Sequence, residues 1–228
     1  MAKTASRVLR TGGLYFNGVN AYVATPLVPS PNQSFTLIAW VKSSIYFSKT
    51  ERMRKAVIAT RAPWANDIIL LGWVGWGGGW VIMVDVNGTD YSAMYSADLD
   101  TDWHFLAGSF DSLNGVLKLY VDGVLRATRT GVPQPNFYPD TFKIGWYNYW
   151  NGLIDEVRIY NRVLTDSEIS EIYSKDTFIK DGLVLYLPFY EGGGNIAHDV
   201  SGYGNHGTIY GGAMWAVKKA LRVLPKAR

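Results

Sequence analysis

Trp103-His-Phe-Leu-Ala-Gly-Ser-Phe-Asp-Ser-Leu-Asn-Gly-Val-Leu-Lys-Leu-Tyr-Val-Asp-Gly-Val-Leu-Arg-Ala-Thr-Arg129 is the stretch that decides the architecture. Apolar residues alternate or come in short runs, and turn residues interrupt them at short intervals. That is the pattern of stacked antiparallel strands, not of amphipathic helices. Asp122-Gly123 is the clearest turn, because a two-residue hairpin loop needs positive φ angles that Asp and Gly tolerate. Asn87-Gly88 and Asn114-Gly115 carry similar chemistry.

Outward from this hairpin the same reading places strands near 14–16, 22–24, 35–42, 56–60, 68–73, 80–86, 89–95, 103–110, 115–121, 124–129, 142–146, 152–160 and 183–189. One helix is expected. Thr165 caps it, Glu168 three residues on completes a capping box, and Ile169 and Ile172 give it an apolar face that ends near Ser174. No stretch is long enough to be a linker, so the 228 residues read as one domain. Hydrophobic residues make up 48% and aromatics 14%, enough to bury a large core, and the 24 glycines suit strands and tight turns. The absence of cysteine removes disulfides and thiolate metal sites.

The net charge of +3 is unevenly placed. Lys3, Arg7 and Arg10 mark one end, and Lys218, Lys219, Arg222, Lys226 and Arg228 the other. Removing those eight bases from the 22 leaves 14 against 19 acids, so the body between them is acidic. Basic ends on an acidic body suit an anionic partner or a neighbouring copy of the chain, and equally suit two solvated tails. Neither end interleaves aromatics on a groove-fitting element, so specific nucleic-acid binding is not expected. Residues 1–7 lack the apolar stretch of a secretory signal, and no run is long enough to span a membrane. Export would then need a precursor, another route, or lysis of a host cell.

Four stretches resemble the laminin-G-like jelly roll of the concanavalin A-like lectin/glucanase superfamily. They are Leu14-Tyr-Phe-Asn-Gly-Val-Asn-Ala-Tyr-Val23, Phe35-Thr-Leu-Ile-Ala-Trp-Val41, residues 102–111 leading into 117–123, and Asn151-Gly-Leu-Ile-Asp-Glu-Val-Arg-Ile-Tyr160 running into the capped helix. The resemblance implies an all-β, two-sheet antiparallel sandwich with one short helix. A further block of the family usually comes first, but here it comes last: Gly182-Leu-Val-Leu-Tyr-Leu-Pro-Phe189 and Asp199-Val-Ser-Gly-Tyr-Gly-Asn-His-Gly207, finishing at Trp215. Block 182–215 can fold back on its own chain as a circular permutation. It can instead complete a neighbouring subunit by strand exchange, or begin a second repeat.

The resemblance also frames the candidate sites. Glucanases on this fold pair carboxylates along one strand face. Asp98, Asp100 and Asp102 have period 2 but include no Glu, and they read as a solvated or cation-binding turn. Asp155 and Glu156 are adjacent, so on a regular strand they point to opposite faces. His104, His198 and His206 fall in separate segments, and no catalytic residue is expected. The family often holds Ca2+ at the sandwich rim, which would draw on Asp155 with Asn17 and Asn20; the alternative there is a hydrogen-bonded turn network. A sugar or protein platform is expected from Trp76, Tyr147, Tyr149 and Trp150, while Trp40 and Trp103 should be core. The expected function is a non-catalytic lectin-like adhesion or assembly module at a cell surface or in a virion. Its partners would be a glycan, another protein surface or copies of itself. A carbohydrate-binding module with a functional sugar pocket is the alternative, and a glycoside hydrolase is the third.

Overall fold

A computed structural model describes residues 12–30, 32–51, 53–60, 68–75, 78–135 and 140–216. Trp76 and the basic ends lie outside the described residues. The first strands are β1 (Gly13–Asn17), β2 (Tyr22–Ala24), β3 (Phe35–Ser43), β4 (Arg54–Ala59), β5 (Ile69–Val74), β6 (Gly79–Val86) and β7 (Thr89–Ser96). Then come β8 (Trp103–Asp111), β9 (Val116–Val121), β10 (Val124–Arg129), β11 (Lys143–Ile144) and β12 (Asn151–Tyr160). Helix α1 (Asp166–Lys175) precedes β13 (Leu183–Leu187), β14 (Ile196–Ala197), β15 (Gly207–Tyr210) and β16 (Met214–Ala216). Among the described residues no helix is long and apolar enough to cross a membrane.

The strands form two antiparallel sheets packed as a sandwich, as the sequence leads one to expect. One sheet runs β10-β9-β8-β3-β12-β1-β16, with β13 also on β12; the other runs β14-β15-β2-β11-β4-β5-β6-β7. Alternation sorts the side chains. On β3, Leu37, Ala39 and Val41 enter the core between the sheets, while Ile38 and Trp40 join a second cluster on the outer face. That second cluster is roofed by α1 through Ile169 and Ile172, so Trp40 is core, though not of the inter-sheet kind; Trp103 is half-buried beside it. The capping box forms as read: Thr165 accepts from the Glu168 N–H, and the Glu168 carboxylate accepts from the Thr165 N–H.

Asp122 and Gly123 both take positive φ, 52° and 73°, and a side chain at Gly123 would strike Tyr173. Asn114-Gly115 differs, since it ends a longer loop in which Asp111 Oδ1 accepts from the Leu113 and Asn114 N–H groups. The run at 142–146 yields only the short β11, and three strands of the last block, β14 to β16, come in addition to those read from the pattern.

β12 is the spine. β3 runs along one side of it, and β1 (opposite 151–154) and β13 (opposite 157–160) share the other side in tandem. The last block thus pairs within its own chain here: β13 on β12, β15 on β2 and β16 on β1. Two bulges correct simple alternation. Glu156, with φ 52°, bulges β12 between Asp155 and Arg158. Ile154 and Val157 therefore both face the core, and Asp155 and Glu156 both lie on the outer side instead of on opposite faces. A second irregularity opposite Ile159 and Tyr160 sends Leu183 to the helix side, while Leu185, Leu187 and Phe189 stay between the sheets.

Candidate functional site

At the β1–β2 rim, Asn17 Oδ1 accepts from the N–H groups of Val19, Asn20 and Ala21, and its Nδ2 donates to Asn20 Oδ1 and the Gly211 carbonyl. This is the turn network that stood as the alternative to calcium. Asp155 is not part of it. Asn17 pairs with Asn151, four positions before Asp155, which is roughly 13 Å along a strand. Among the described residues no three His, Cys, Asp or Glu side chains are grouped to hold a metal. Beside Gly18 this rim carries a cation of its own: Lys55, whose Nζ donates to the carbonyls of Asn148 (2.8 Å) and Tyr149 (3.1 Å).

The aromatic loop after β11 is divided differently from the expectation. Trp150 is 0% exposed in the inter-sheet core, so it offers no face to a ligand. Tyr147 packs against an apolar cluster on the outside of the second sheet. Only Tyr149 of the described expected residues joins an accessible aromatic group, and its companions are Trp146, Tyr22 and Tyr210. The ring of Tyr22 lies 4.6 Å from Trp146, edge-on, and 5.0 Å from Tyr210, stacked; Trp146 and Tyr149 meet edge-on at 5.8 Å.

Local folding explains the grouping. Val23 is core, so its neighbour Tyr22 faces outward, and β15 sets Tyr210 directly opposite Tyr22. Left-handed turns at Asn148 (φ 49°) and Tyr149 (φ 36°) fold the loop back, and Lys55 ties their carbonyls together. Lys143 sits 5.8 Å from the Trp146 ring centre and pairs with Asp140 at 2.8 Å, placing polar groups at the margin. Burial, with Tyr210 and Tyr149 nearby, raises the pKa of the Tyr22 phenol and keeps it neutral. Sequence reading missed Tyr22 and Tyr210. Alternation beside Val23 signals the first, whereas the second belongs to a block whose strand partners cannot be read locally.

The candidate acids are held in hydrogen bonds. Asp98 accepts from the Lys49 N–H and the Tyr46 hydroxyl, which lower its pKa in that order. Burial would raise that of Asp100, but hydrogen bonds from the Asp102 N–H and His104 outweigh it. Glycosidic general acids need the opposite, a carboxyl held protonated. Glu156 accepts from Arg158 Nη2 (3.2 Å) and from the Tyr186 hydroxyl, and Arg158 also pairs with Asp176 at 2.8 Å. His104 is pinned between Asp100 and Asp122. The rings of His198 and His206 do meet, at 5.3 Å, yet His206 Nδ1 accepts the Asp199 N–H.

Comparison with known proteins gives one family and several solved structures of similar fold. The model of the concanavalin A-like lectin/glucanases superfamily, in its Laminin_G_3 form, matches residues 17–170. A candidate carbohydrate binding protein from Bacteroides ovatus ATCC 8483 is similar over 92% of this chain, at 18% identity and a TM-score of 0.65. The chain spans only 61% of that protein's length. Domain 4 of AbnA, an extracellular arabinanase from Geobacillus stearothermophilus solved with arabinotriose, is similar over 70% of this chain and 75% of its own, at 26% identity and TM-score 0.57. A heptameric SAP-like pentraxin from Limulus polyphemus covers 92% of this chain and 96% of its own, at 12% identity and TM-score 0.66. Comparison with curated proteins gives no match.

Proposed function

The chain belongs to the concanavalin A-like lectin/glucanase superfamily, and from that premise we propose that it is a non-catalytic lectin-like module binding a glycan on Tyr22, Trp146, Tyr149 and Tyr210. The observation that carries this reading is the accessible aromatic cluster itself, edged by the Lys143–Asp140 pair. Sugars lay their apolar faces on such rings while flanking polar groups order the hydroxyls. The arabinotriose complex of the AbnA domain supports the same use of this fold. The non-catalytic part is supported by carboxylates that are held ionised or tied into networks. On a broad glycan array, Tyr210→Ala and Trp146→Ala are expected to weaken binding at least about tenfold, as loss of a contact hot spot does, with unchanged melting. Silence of the wild type on that array overturns the proposal.

A second reading, a protein contact within an assembly at a cell surface or in a virion, draws support from exposed Tyr190, Tyr203 and Met214, all in the displaced block. Self-association combined with silence on the array would favour it.

A further inference from the structure

Lys55 is 7% exposed, an unusual position for an ammonium group. Its Nζ lies over the Phe47 ring, 5.7 Å from the ring centre, and two of its three N–H donors go to the Asn148 and Tyr149 carbonyls. Among the described residues no third acceptor and no carboxylate lies within bonding distance of Nζ. A buried charge without a counter-ion is costly, and burial holds the Lys55 pKa below the usual lysine value. The charge is also placed where a ligand can meet it. Lys55 lines an open cavity of about 370 Å³ together with Gly18, Met53, Asn148 and Tyr149. Tyr149 belongs to this cavity and to the aromatic cluster alike, so one ligand can span both.

We propose that this cavity receives the carboxylate of an acidic sugar, a uronic or sialic acid unit, while an adjoining ring of the same glycan rests on the aromatic cluster. The inference rests on the glycan reading above and names its substrate class. One remaining N–H and a positive charge without a counter-ion among the described residues match one carboxylate oxygen. The carbonyls of residues 148 and 149 hold the ammonium in place beforehand, so little order is lost when the anion arrives.

Binding of the full chain to tri-galacturonic acid and to sialyllactose, each against its own methyl ester, tests this directly. The ester keeps the shape and removes the charge. In one of the two pairs the acid should bind about tenfold more tightly than the ester, the difference expected of a charge-assisted over a neutral hydrogen bond; which pair responds tells uronic from sialic acid. Lys55→Met should abolish that preference, so that acid and ester bind alike, whereas Tyr210→Ala should weaken acid and ester together and keep the preference. On the wild type alone, the preference should fade as pH rises through the Lys55 pKa, which covers the case of a Lys55→Met chain that does not fold. Equal binding of acid and ester, still lost in Tyr210→Ala, overturns the carboxylate inference and leaves the platform standing. Failure of every neutral and acidic saccharide to bind overturns both.

Discussion

His104 shows how one residue can couple this rim to pH. Its Nδ1 lies 2.9 Å from Asp122 and its Nε2 3.0 Å from Asp100, and its ring packs against Trp80. Burial works against the cation, but the two carboxylates outweigh it and the pKa is raised. A group whose folded pKa is raised contributes stability that is complete below its unfolded value, near 6.5, and is lost as pH rises through the folded value. Denaturation midpoints should therefore fall across that window, and His104→Gln should flatten the dependence. Trp150 offers a contrast with Tyr210. Trp150→Ala should cost about 3 to 5 kcal/mol, as emptying a core site does, whereas Tyr210→Ala should stay within about 0.5 kcal/mol in urea titration. Trp150→Phe should be much milder than Ala, since the buried indole N–H finds no acceptor among the described residues. With Asn17 engaged in its turn, EDTA should leave the melting temperature unchanged; a drop that Asp155→Asn abolishes would restore a rim ion. These distinctions were only partly open to sequence reading. Five residues from Trp146 to Trp150 carry four aromatics, and a turning loop has no period to say which of them points inward.

At the scale of elements, the loop from Asp199 to His206 acts as a latch on β13. Asp199 accepts from the N–H groups of Tyr186, Ser201 and Asn205 and from the Ser201 hydroxyl, while Asn205 Nδ2 donates to the Val184 carbonyl. The Asp, Ser and Asn of this loop thus hold a chain reversal in place, which accounts physically for their spacing. Asp199→Ala strands several N–H groups and should cost about 2 to 4 kcal/mol, at about 1 to 3 kcal/mol for each buried donor that water does not reach. Hydrogen exchange should then quicken first in β14 and β15. Helix α1 was legible to within a residue because a capping box is local chemistry. β14, β15 and β16 were not, because strands of two to four residues are too short to show a period. The bulge at Glu156 was hidden for another reason: no glycine announces its positive φ, so Asp155 and Glu156 read as ordinary alternation.

For the whole molecule, the last block decides whether a sandwich forms. It supplies strands to both sheets, and Leu185, Leu187 and Phe189 are at most 1% exposed. Each such side chain is worth about 1.5 to 3 kcal/mol, so removing three approaches the stability of an ordinary domain. A chain ending at Lys180 should be insoluble or molten, and added 182–216 peptide should restore a cooperative transition. The 228-residue chain is expected to be monomeric by light scattering; a dimer that grows with concentration would mean that the same strands are exchanged between copies. The two-sheet architecture was legible from alternation and turns, but the place of this block was not, since its pairing partners in the rest of the chain lie 23 to 203 residues away and leave no local trace. The pairing of Gly13 with Ala216 has a further consequence. Facing residues of an antiparallel pair lie about 5 Å apart, so the described sandwich begins and ends at a single doorway. It can be hung from a loop of a host protein like a pendant, both cords at one point, without prising the host's own chain apart.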